Sequence, residues 1–163
     1  MSRALGPALF QATFVLSLAA AGLAQAKLRT RFAADVSKDL PHPEHPRPQW
    51  MRPSWQSLNG PWSYAITSRE ADAMGASMGT ILVPFPIEAE LSGVARTLSP
   101  KERLWYARSF TLDFAPGRER VLLHFGAVDW EAEVWVNGFP VGEHRGGFDP
   151  FTFDVGWALS GEG

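Results

Sequence analysis

The sequence has no cysteine, so no disulfide can brace the domain and its stability must come from packing. It has no excess of positive charge either: 15 basic side chains face 17 acidic ones, a formal net charge of −2. A basic surface for nucleic acid or anionic lipid is therefore not expected. No Gly-x-Ser-x-Gly elbow, phosphate-cradling glycine loop or His-Glu-x-x-His pair occurs, which leaves serine hydrolysis, nucleotide binding and zinc chemistry without a starting point. No metal or other cofactor is called for. Long helical periods are missing too. What remains is 45% apolar and 12% aromatic content in 163 residues, enough for one domain with a real core.

Residues 1–26 differ from the rest. Arg3 is their only charge, and the apolar run 8–23 leads to Ala24-Gln25-Ala26 before Lys27. This is the layout of a secretory signal peptide, and it predicts a secreted, periplasmic or extracellular protein with no membrane contact after cleavage. An uncleaved anchor or an organelle transit peptide are the alternatives. The run is broken by Gln11, Thr13 and Ser17 and falls short of the roughly 20 residues that span a bilayer.

Residues 27–53 form a leader in which Pro41, Pro43, Pro46, Pro48 and Pro53 each fix φ and remove a backbone donor. An extended path over the domain surface is expected, anchored by Trp50 and Trp55. A polyproline ligand for a partner is the alternative. His42 and His45 have no ligand pattern around them and read as loop residues.

From residue 54 the pattern is β. Trp62, Tyr64 and Ile66 alternate with Ser63 and Ala65, and Ile81-Leu82-Val83 is a short apolar strand closed by prolines. Residues 68–80 read as a connection and 85–100 as a long loop. A strand of about ten residues is expected over 104–114, and Pro116-Gly117-Arg118 makes the next turn. Val121, Leu123 and Phe125 alternate with Leu122 and His124. Ala132, Val134 and Val136 oppose Glu131, Glu133 and Trp135. Asn137-Gly138 is the turn of a two-residue hairpin, since both residues accept positive φ. The return strand is expected over 140–143, a loop over 144–149 and a further strand over 150–155. Short strands with glycine turns predict an all-β, antiparallel β-sandwich, and residues 160–163 read as turn without a closing strand, so the domain is expected to be incomplete at its C-terminus.

Four segments then carry a family resemblance: Leu58-Asn59-Gly60-Pro61-Trp62-Ser63-Tyr64; Val83-Pro84-Phe85-Pro86; Leu104-Trp105-Tyr106-Ala107-Arg108-Ser109-Phe110; and Val134-Trp135-Val136-Asn137-Gly138 running on to Gly146-Gly147-Phe148-Asp149-Pro150-Phe151. In this order they resemble the amino-terminal sugar-binding domain of glycoside hydrolase family 2, the family of β-galactosidases, β-glucuronidases and β-mannosidases. The resemblance implies a jelly roll, galactose-binding-domain-like, over 54–163. It implies a carbohydrate partner, a β-linked glycoside, reached through a catalytic barrel that follows this domain and carries both catalytic glutamates. No catalytic residue is therefore assigned to this chain.

Glu131 and Glu133 share a strand face and their carboxyls could approach each other, but a solvated pair is expected, as for Glu88 and Glu90 in the long loop. Arg145 and Asp149 are the candidate substrate-binding residues, with loop structure or domain contact as the other reading. Trp130 and Trp135 are core or interdomain aromatics, or else a stacking surface for sugar if the chain is a freestanding carbohydrate-binding module.

Overall fold

The computed structural model describes residues 30–44, 54–113 and 120–160. The signal-like segment, His45, Trp50 and the turn expected at Pro116-Gly117-Arg118 lie outside them. Among the described residues seven strands run in chain order: β1 Gly60–Ser68, β2 Gly79–Val83, β3 Glu102–Ala107, β4 Leu122–Phe125, β5 Glu131–Val136, β6 Phe139–Arg145 and β7 Phe151–Asp154. A short helix, α1 Gly156–Ser160, follows them. It is an element the sequence pattern did not announce.

The strands form an antiparallel β-sandwich. One sheet has the order β2-β1-β3, while β4 pairs with β7 and β5 with β6. The chain leaves β4, makes the β5–β6 hairpin, and returns as β7 to lie beside β4. The hairpin's inward face then meets β7: His144 stacks on Phe151 with ring centroids 4.2 Å apart, and Phe151 stacks on Phe125 at 4.7 Å. Gly142 lies so close to Phe153 that a Cβ there would collide with the ring. Among the described residues the buried hydrophobic side chains include Ala65, Ile81, Ile87, Val155 and Ala158.

β1 is the central strand of its sheet, and Ala65 is the most buried of its side chains although Trp62, Tyr64 and Ile66 are the larger ones. Ala65 pairs with Trp105, whose indole N–H donates to Thr67 Oγ1 at 2.8 Å and whose ring meets Trp135 of β5 at 6.0 Å. Tyr64 pairs with Tyr106 on the opposite face, where Glu88 of the long loop approaches. Burial and that carboxylate push the Tyr106 phenol up. Trp105 and Tyr106 thus divide as neighbours on a strand must, one toward β5 and one toward the loop.

Strand ends differ from expectation in both directions. β3 stops at Ala107 instead of continuing to 114. Ala107 pairs with Ser63, so an extended ladder would place Arg108 opposite Trp62 and then Ser109 opposite Pro61, which has no N–H to give. Side chains replace the ladder there. Arg108 Nη1 donates to the carbonyls of Leu58 and Asn59 at 2.7 and 3.0 Å, and Gln56 donates to the Thr111 carbonyl at 2.8 Å while accepting from the Asp113 N–H at 3.2 Å. β6, conversely, runs two residues past Glu143 to Arg145, because Glu131 and Ala132 still offer pairing partners. The pairing skips Val141 opposite Val134 and Trp135, a bulge where Pro140 leaves the ladder one donor short.

The leader is more than a surface strap. Pro41 is fully buried, and its carbonyl accepts from Asn59 Nδ2 at 3.3 Å just before β1. Trp55 serves as an anchor by stacking on His124 of β4 at 5.7 Å.

Candidate functional site

The β5–β6 hairpin brings together the residues singled out from sequence. At its closed end Asn137 has φ 51° and Gly138 φ 85°, the doubly positive pair of a primed turn. Asn137 Nδ2 also donates to the Ala158 carbonyl at 3.0 Å, tying the turn to α1. The open end carries Asp129 and Trp130 on one side and Gly146 to Asp149 on the other, joined by the Gly146 N–H donating to the Trp130 carbonyl at 2.8 Å.

Arg145 and Glu131 are register partners at this end. Arg145 Nε donates to Glu131 Oε1 at 2.9 Å, and Arg69 approaches the other carboxylate oxygen at 3.6 Å. The Arg145 hydrogen bond and charge hold the Glu131 carboxyl below the usual carboxylate range, and raise the Arg145 guanidinium in turn. Glu133 sits on the same face and faces Arg103 at 3.7 Å. The two glutamates are exposed, as expected of a solvated pair, and each also faces arginines from β1's far end, β3 or β6. No sequence spacing joins Arg69 or Arg103 to them.

Arg145 therefore stands on a strand with its guanidinium engaged, whereas Asp149 lies in the following loop, exposed. Asp149 and Asp129 make no hydrogen bond or ion pair to another described residue. They flank the two glycines closely. A Cβ on Gly147 would lie 2.7 Å from Asp129 Oδ1, and one on Gly146 would lie 3.4 Å from both Asp149 Oδ2 and His144 Nε2. That His144 nitrogen is buried without a hydrogen-bond partner.

The aromatics divide as well. Trp135 packs against Trp105, while Trp130 is 65% and Phe148 94% exposed. Phe148 was part of a family-like segment in the sequence without being singled out. A large aromatic directly after two glycines was the available signal. Glu88 faces Tyr106, and Glu90 begins a 3-10 turn, Glu90–Ser92, whose Ser92 is buried and donates to the Ala89 carbonyl at 2.7 Å. His42 pairs with Glu44 at 2.8 Å. Among the described residues no group of three or more His, Asp, Glu or Cys is placed to hold a metal ion.

Residues 73–162, more than half of the chain, match the family described as glycosyl hydrolases family 2, sugar binding domain. The chain belongs to this family. The matched span begins in the connection before β2 and runs through α1, so it contains the whole β5–β6 hairpin of the family 2 sugar-binding domain. The chain is similar to β-glucuronidase of Canis lupus familiaris, 45% identical over 116 residues, which is 61% of this chain and 18% of the relative. It is also similar to β-galactosidase of Thermoanaerobacter pseudethanolicus, 45% identical over 51 residues, 31% of this chain and 7% of the relative. Among solved structures, a β-glucuronidase of Faecalibacterium prausnitzii aligns with a TM-score of 0.49 at 32% identity, covering 61% of this chain and 18% of that one. The chain spans less than a fifth of the length of each of these relatives.

Proposed function

We propose that this chain supplies the supporting, non-catalytic sugar-binding domain of a secreted glycosidase that hydrolyses β-linked glycosides, its carbohydrate partner being cleaved by a catalytic barrel elsewhere in the whole protein. The observation that carries this reading is the commitment of Glu131 and Glu133 to arginines. A retaining glycosidase needs two carboxyls about 5 Å apart, one of them holding a proton at working pH. Glu131, held below the usual range by Arg145, is the opposite of such an acid. The names of the relatives, β-glucuronidase and β-galactosidase, support a β-glycoside as the substrate of the whole protein. The apolar run before Lys27 supports secretion.

The test has two arms. The chain, offered chromogenic β-glucuronide and β-galactoside, is expected to release no chromophore above buffer; turnover abolished by Glu131→Gln would overturn the non-catalytic reading. The reading frame is expected to continue past Gly163 into a catalytic barrel, and a tagged full-length product is expected in the medium with its amino terminus near Lys27. A stop codon matched by transcripts, or retention of the product inside the cell, would sink the fragment or the secretion part respectively.

A further inference from the structure

We propose that Asn137 is a site of spontaneous covalent modification: the backbone nitrogen of Gly138 closes on the Asn137 side-chain amide, and the acid that results releases α1 from the β5–β6 hairpin. The site lies at the closed end of the hairpin and is independent of the function proposed above.

The sequence has two asparagines, Asn59 and Asn137, and a glycine follows each. Glycine carries no Cβ to hinder the approach of its own backbone nitrogen to the preceding side chain, and groups held this close react far faster than separate molecules. The step balances with water as the co-reactant. The Gly138 N–H gives its proton to a base in solution, and its nitrogen bonds to the Asn137 side-chain carbonyl carbon. The bond from that carbon to the amide nitrogen breaks, and ammonia leaves. Water then opens the cyclic imide. Opening at the side-chain carbonyl gives aspartate, and opening at the main-chain carbonyl gives isoaspartate, in which the chain runs through the side chain.

The fold treats the two asparagines differently. Gly60 is buried and opens β1 opposite Val83; a Cβ there would lie 2.7 Å from the Asp39 carbonyl oxygen, and the Asn59 carbonyl is held by Arg108 Nη1 at 3.0 Å. That peptide has no room to swing toward its side chain. Asn137 and Gly138 are both exposed at the tip of the turn, and nothing lies within 4 Å of the Gly138 Cβ position. Asn137 is restrained by the hydrogen bond from its Nδ2 to the Ala158 carbonyl at 3.0 Å, so the nitrogen that leaves is the atom that holds α1. A carboxylate in its place offers only acceptors to a carbonyl that is itself an acceptor, and the tie becomes a repulsion. Ala158 is fully buried and Trp157 meets Phe139 edge-on at 5.8 Å, so losing the tie loosens packing as well.

Peptide mapping by mass spectrometry of the full chain, aged in mildly alkaline buffer both folded and in urea, tests the step. In urea the two asparagines are expected to convert at similar rates. In the folded chain Asn137 is expected to convert about fivefold more slowly than in urea, the factor an ordinary net hydrogen bond sets, and to give both aspartate and isoaspartate. Asn59 is expected to stay an amide. Conversion of Asn59 with Asn137 intact, or of neither while the urea sample converts fully, overturns the site; acid without isoaspartate overturns the cyclic route. Asn137→Asp reads out the consequence by hydrogen exchange. The amides of Ala158 and Leu159, which donate to the Val155 carbonyl at 3.1 and 3.2 Å, are expected to exchange about tenfold faster while those of β1 keep their rates. Unchanged exchange at Ala158 and Leu159, or equal acceleration throughout β1, overturns the release of α1. Asn137→Gly, which removes the donor without adding charge, is expected to accelerate the same two amides less, and an equal acceleration would overturn the repulsion.

Discussion

Arg145 and Glu131 face each other across the open end of a hairpin, with Arg145 Nε 2.9 Å from Glu131 Oε1, and Arg69 and Arg103 extend the same charge cluster toward the β1–β3 sheet. The arrangement binds the hairpin laterally to the rest of the sandwich, and it is exposed to solvent. Arg145→Ala is therefore expected to lower the melting temperature by no more than about 2 °C, an effect that disappears near 0.5 M salt as the charges are screened. Thermal melts at low and high salt check this. A drop of ten degrees, or one independent of salt, would show that Arg145 is held by something other than charge.

Acid should loosen the domain in a defined window. Glu131, Glu102 and Asp154 all have carboxyls held low: Glu131 by Arg145, Glu102 by the Ser99 N–H and Arg96, Asp154 by Arg120 and the Gly156 N–H. A group whose folded value lies below its unfolded value contributes stability that is present above the unfolded value, about pH 4 for carboxyls, and lost as pH falls through the folded one. Urea midpoints are expected to be flat from pH 7 to about pH 5 and to fall steadily below about pH 4. Stability that rises on acidification would contradict these assignments.

Gly142→Ala addresses packing directly. The added Cβ would collide with the Phe153 ring, which is itself edge-on to Phe151, so the ring has little room to retreat. Overpacking of this kind costs about 1–3 kcal/mol, read as a lower urea midpoint at unchanged slope. Gly142→Ala with Phe153→Leu should recover part of the loss.

Gly138→Ala tests the turn. Nothing stands near its Cβ position, so the cost is conformational alone, from a residue at φ 85°. About 1 kcal/mol is expected. Asn137→Ala should exceed it, since it strains a positive φ of 51° and also removes the hydrogen bond to the Ala158 carbonyl. Equal costs for the two would mean the link to α1 is worthless.

The strand alternation of β1, β5 and β7 and the turn at Asn137-Gly138 were legible because side-chain period and turn chemistry are local properties of the chain. The family-like segments were legible for the same reason. Strand ends were less so. The stop near Ala107 accompanies a Pro61 two residues further along the partner strand, and the extension to Arg145 depends on Glu131 being opposite, neither of which is a property of residues 107 or 145.

The candidate site divides along the same line. By itself the sequence determined that a hairpin turns at Asn137-Gly138, that one of its faces is charged, and that Trp130, Trp135, Arg145 and Asp149 lie on or beside it. Only the tertiary structure decided that Arg145 pairs with Glu131, that Trp135 meets Trp105 while staying partly exposed, and that Trp130, Phe148, Asp129 and Asp149 face outward. The physical reason is partner choice: a side chain's chemistry is written in its own residue, but whether that chemistry is spent or available depends on which distant residue the fold brings within a few ångströms of it.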